Sequence, residues 1–69
     1  MRVKIGDFYY IRNEENIIDV FSWDGEVDLQ VARFIRQGSR ILSDNSIEED
    51  SIVIYDTVVK IFNGAITLE

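Results

Sequence analysis

Isoleucine and valine dominate the apolar residues of this chain: eleven Ile and seven Val stand against three Leu and two Ala. Branching at Cβ restricts χ1, which suits a pleated sheet better than a helix, so a chain with this bias is expected to be built mainly of strands. No Pro interrupts the pattern and no Cys can staple it. With 69 residues and 46% apolar content, residues 1–69 are expected to form one domain near the lower limit for independent folding. Chains this short often bury a second apolar face against a partner, so monomer and homodimer are held open equally.

Period-two patterning places the first strands. "RVKIG" alternates Val3 and Ile5 with Arg2 and Lys4. "FYYIR" and "IIDVFSW" flank "NEEN", a polar connector of hairpin length. Pairing Arg12 with Ile17 sets Ile11 against Ile18 and Tyr9 against Val20 on one face, with Tyr10 against Asp19 and Phe8 against Phe21 on the other. Both faces then carry large apolar groups, so the hairpin either lies inside a barrel or offers one side to a partner.

Residues 24–38, "DGEVDLQVARFIRQG", carry the pattern of an amphipathic helix. Asp24 is placed as N-cap and Gly38 as terminator, with Val27, Val31, Phe34 and Ile35 gathered on one face. A short strand "SRILS" is expected next, then an acidic loop "DNSIEED". "SIVIYDTVVKIF" is nearly all strand former and precedes Asn63-Gly64, a hairpin signal, so a C-terminal hairpin is expected. A competing helix over residues 47–62 has a capping box (Ser46, Glu49) and an Asp56–Lys60 pair in its favour, but it would leave Ile52 and Val53 wet.

The absence of both His and Cys removes the usual zinc ligands, the usual general base and the common activated nucleophile pairs. No catalytic constellation, metal or cofactor is therefore expected. Asp44, Ser46, Glu48 and Asp50 alternate like ligands of a calcium loop. However, Glu49 stands where such a loop needs Gly, and Tyr55 where it needs a bidentate Glu. The four glycines are scattered, so no phosphate-cradling loop forms. No apolar stretch reaches membrane-spanning length and the N-terminus reaches an acid by Asp7, so neither a membrane anchor nor a signal peptide is expected and a cytoplasmic location is.

Charge is segregated. Residues 13–28 carry six acids and no base, residues 29–43 three bases and no acid, and residues 44–50 four acids and no base. On the helix wheel continued past Gly38, where Ile41 and Leu42 return to the apolar face, Arg33, Arg36 and Arg40 would form a stripe opposite that face, either solvated or gripping phosphates or carboxylates. The net charge of -6 sets nucleic acid behind a protein partner. Adjacent Tyr9 and Tyr10 must point to opposite faces of a strand, which makes one of them a candidate contact. Glu48, Glu49 and Asp50 could imitate phosphates toward a basic partner surface.

"VKIGDFYYI" resembles the opening strands of small SH3-like barrels. That resemblance implies an SH3-like barrel with an inserted helix as the runner-up architecture and implies no function. The leading expectation is a small α+β domain, with N- and C-terminal hairpins forming an antiparallel sheet under one amphipathic helix. In function it is expected to be a non-enzymatic protein-interaction module, of the kind phages and mobile elements use to block a host nuclease or defence protein. The alternatives are a nucleic-acid-binding protein using Arg33, Arg36 and Arg40, and a self-associating assembly subunit.

Overall fold

The computed structural model describes residues 2–24, 27–45 and 51–67. It contains five strands, β1 (Arg2–Ile5), β2 (Phe8–Glu14), β3 (Ile17–Asp24), β4 (Val27–Gln37) and β5 (Arg40–Asn45), followed by one helix, α1 (Ser51–Phe62). The strands pair antiparallel in chain order, so the sheet is a meander whose outer strands are β1 and β5. The α+β class with an antiparallel sheet and one helix is as expected. The helix, however, is the last element rather than one inserted among the strands.

Within the helix expected over residues 24–38, Asp24 instead ends β3 and Val27–Gln37 form strand β4, and a bulge explains the helical look of the pattern. Val20 pairs with Ala32 and Phe21 with Gln30, leaving Val31 as an extra residue in β4. The bulge shifts the phase of the period-two pattern. Apolar residues on either side of it then fall at the three- and four-residue spacings of a helix.

A second bulge corrects the β2–β3 register. Glu14 pairs with Ile17 around a two-residue turn, and Asn13 is the extra residue, so Arg12 meets Ile18 rather than Ile17. The one-residue slip sets Tyr10 opposite Val20 and Tyr9 opposite Phe21. Phe8, Tyr10, Ile18, Val20, Ala32 and Phe34 consequently share one face and are all buried. Both faces remain apolar, as the sequence indicates, but the groupings differ.

The inner face needs a cover, and with residues 27–37 committed to the sheet α1 is the segment that supplies it. Ile54, Thr57, Val58, Ile61 and Phe62 recur at helical spacing and are buried against the sheet. The Phe34 and Tyr55 rings lie 6.2 Å apart at 59°. The strand and C-terminal hairpin expected for this region are therefore overturned: tertiary burial outweighs the β-branched propensity. The cost foreseen for a helix here is visible, since Ile52 is 83% exposed and Val53 61%. The Asp56–Lys60 pair forms at 3.0 Å, and Thr57 Oγ1 donates to the Val53 carbonyl at 3.0 Å.

Asn63-Gly64 ends this helix rather than turning a hairpin. Gly64 has φ 81°. Its N–H donates to the Ile61 carbonyl at 3.1 Å and the Ala65 N–H to the Lys60 carbonyl at 2.9 Å, the two bonds of a Schellman motif. A Cβ at Gly64 meets open space, so Gly64→Ala suffers only the left-handed backbone penalty. The expected loss is about 1–2 kcal/mol, read as a lower urea midpoint with unchanged slope.

Candidate interaction face

Alternation along the strands puts Lys4, Tyr9, Ile11, Ile17, Asp19, Phe21, Arg33, Ile35 and Leu42 on the outer face of the sheet, away from α1. Among the described residues no helix or strand covers this face. Its hydrophobic side chains are half-buried, except Leu42, which is 42% exposed. The side chains packed against the core are different ones, namely Val3, Ile5, Val31, Ile41 and Ile66. The outer face is thus a second apolar layer on the far side of a single sheet.

Asp19 sits in the middle of this layer and is only 2% exposed. Burying a carboxylate is costly unless it is paired and hydrogen-bonded. Arg33 meets that requirement from the neighbouring strand. Its Nε donates to Asp19 Oδ1 at 2.7 Å and its Nη2 to Oδ2 at 3.2 Å, a two-pronged contact. Gln30 Nε2 adds a bond to Oδ1 at 3.0 Å, and Asn13 Nδ2 donates to Oδ2.

The bulges build this cluster. Asn13 is the extra residue of β2, and the bulge at Val31 brings Gln30 to the same face as Arg33. Bulges leave no composition signal, so the cluster could not be assembled from the sequence. The only hint was an Asp inside an apolar strand.

Asp19 raises the pKa of Arg33 above its ordinary value, through the hydrogen bond first and its charge second, with smaller help from Asp44 and Glu14 against a lowering by desolvation. A cation raised in the folded state contributes stability that is fully present below its unfolded pKa. That contribution is lost only as pH rises through the folded value. For a guanidinium this window lies far above neutrality, so Arg33 brings no pH dependence of its own to the cluster near pH 7.

The arginine stripe does not exist. Arg33 and Arg36 are three apart on a strand and point to opposite faces. Arg33 holds Asp19, while Arg36 lies on the inner face with its guanidinium carbon 5.6 Å from the Phe62 ring centroid, and Arg12 lies at the same distance from that ring. Arg40 is on β5, opposite Gln37. Tyr10 is 1% exposed within the core and Tyr9 is on the outer face, so of the two tyrosines only Tyr9 is placed to meet a partner. Glu48, Glu49, Asp50 and the Ser46–Glu49 capping box lie outside the described residues, as do the side chains of Trp23 and Asp24.

A concavity of about 410 Å³ beside the cluster is lined by Gln30, Val31, Ala32, Arg33 and Asp44. Among the described residues no group of three or more His, Cys, Asp or Glu side chains could hold a metal ion, and no helix is long and apolar enough to cross a membrane. Compared with protein-family models, with curated proteins and with solved structures, the chain matches none.

Proposed function

We propose that this chain is a non-enzymatic protein-interaction module whose outer sheet face receives its partner. The observation that carries this reading is the second apolar layer. Tyr9 and Phe21 stand directly opposite each other there beside Ile11, and Ile17 pairs with Ile35 beyond the Asp19–Arg33 pair, with no described element above them. Apolar groups gathered on one side of a sheet rather than scattered singly mark a contact surface. The Asp19–Arg33 pair does not oppose docking, because the carboxylate already accepts four hydrogen bonds and needs none from the partner. The exposed acids Glu14 and Glu15 sit at the β2–β3 turn, so a partner that is apolar at its centre and basic at its rim fits best. Blocking a host nuclease or defence protein would be one use of such a contact. That extension rests only on small size, acidity and the lack of catalytic groups in the sequence.

Affinity capture from cells of the source organism, with three chains in parallel, tests the reading. A partner held by the wild type should be lost with Tyr9→Ser/Phe21→Ser and kept with Glu48→Ser/Glu49→Ser/Asp50→Ser. Circular dichroism confirms that each variant folds. Loss only with the acidic triple variant would replace this mechanism by phosphate imitation, and retention by both variants would overturn it. A labelled single-stranded oligonucleotide is the control ligand, because paired aromatics on a sheet also stack bases. Salt-sensitive binding abolished by the Tyr9/Phe21 variant would reassign the face to nucleic acid.

A further inference from the structure

The outer edge of β5 carries a pattern that complements itself. Gly38, with φ 63°, and Ser39 form the two-residue turn between β4 and β5. Such a turn makes Gln37–Arg40 a hydrogen-bonded pair, and alternation makes Ile35–Leu42 and Arg33–Asp44 hydrogen-bonded pairs as well. Ile41 and Ser43 therefore aim their N–H and C=O groups away from β4, at the edge. Among the described residues no strand pairs with that edge. The side chains of Arg40, Leu42 and Asp44 alternate along it on the outer face.

We propose that β5 pairs antiparallel with β5 of a second copy of this chain, about a two-fold axis passing through Leu42. In this register Ile41 stands opposite Ser43 of the second copy, and the reverse, using the outward backbone groups of both. Leu42 meets its own symmetry mate on the axis. Arg40 meets Asp44 of the second copy, twice. Moving the axis to Ile41 would set Arg40 against Leu42, and moving it to Ser43 would set Leu42 against Asp44. Only the Leu42 axis matches charge with charge. Each copy carries a net charge of -6, which opposes association in general, so a local match at the seam is what selects this register.

The same operation accounts for the exposed side of the helix. A groove of about 500 Å³ between α1 and the β4–β5 edge is lined by Phe34, Ser43, Ile52 and Tyr55 among others. Ile52 is 83% exposed and Tyr55 46%. Edge pairing keeps both helices on the same face of the joined sheet, so the two grooves face each other across the axis. Ile52 and Tyr55 then gain apolar neighbours from the second copy. This dimer uses the β5 edge and stands whether or not the outer face binds a partner.

Sedimentation velocity from about 1 μM to 1 mM is expected to show a reversible monomer–dimer equilibrium. Ser43→Pro should stay folded by circular dichroism, since its N–H serves no bond within its own sheet, yet it should be monomeric. A dimer stacked face to face would be indifferent to that change. Arg40→Asp should weaken the dimer about tenfold or more, and Arg40→Asp/Asp44→Arg should restore it. The chain has no cysteine, so Leu42→Cys supplies a single thiol whose Cα would lie about 4.5 Å from its symmetry mate, and mild oxidation should join the copies. Ser43→Cys, about 8 Å from its own mate, should not cross-link. A monomer at every concentration, a dimer untouched by Ser43→Pro, or equal cross-linking at the two positions would overturn the proposal.

Discussion

Phe34→Ala is expected to remove a large share of the chain's folding stability. Phe34 is 1% exposed, stands between Ile18 and Ser43 on the inner face, and meets the Tyr55 ring of α1. Truncating a buried Phe costs about 3–5 kcal/mol in lost transfer energy and residual cavity. At about 0.05–0.15 kcal/mol per residue, a chain of this size has roughly 3–10 kcal/mol in total. Thermal unfolding followed by circular dichroism should show a midpoint about 15–30 °C lower. Phe34→Leu keeps most of the volume and should lose less than half as much. A drop of only a few degrees in Phe34→Ala would mean that α1 is not seated on this strand.

The second large effect concerns Asp19. Arg33→Ala should lower the folding equilibrium constant about tenfold, because it strips a buried carboxylate of two of its four hydrogen bonds and of its counter-charge. The loss is moderated because the Arg33 side chain is 49% exposed, against 3% for Asp19, and solvent screens part of the interaction. Removing both charges with Asp19→Leu/Arg33→Leu should return stability to within about 1 kcal/mol of wild type, since Asn13 and Gln30 are exposed and can turn to water. Urea midpoints of Asp19→Leu, Arg33→Leu and the double change give the coupling directly. If Arg33→Ala alone is neutral, the pair does not hold the outer face together, and the two bulges that build it have no structural purpose there.

The parts of the fold legible in the sequence are those set by local pattern. Strict alternation in "RVKIG", the polar break in "NEEN" and the short "SRILS" run correspond to β1, the β2–β3 turn and most of β5. Both misread segments failed for physical reasons. In residues 27–37 the bulge at Val31 breaks the period of two and counterfeits a helix. In residues 51–62 the β-branched side chains argued for a strand, although Ile54, Val58, Ile61 and Phe62 already had helical spacing. Asn63-Gly64 is ambiguous by itself, because a left-handed glycine serves a hairpin and a helix end equally well.

The candidate site shows the same division. That Tyr9 and Tyr10 face opposite ways follows from any strand, but which of them is buried depends on the register, and the register depends on the extra residue Asn13. The arginines looked aligned only while they were placed on a helix; on a strand, odd separation sends Arg33 to the outer face and Arg36 to the inner one.

By itself, then, the sequence determined a β-rich α+β chain apolar on both faces of its first hairpin, with no His or Cys available for chemistry. Tertiary structure alone decided which apolar segment became the cover. Once five strands form one sheet, its inner face must be shielded from water, and residues 51–62 shield it as a helix packed on that face, at the expense of leaving Ile52 and Val53 in solvent. A choice made by the burial of a whole face cannot be read from the preferences of the residues that make it.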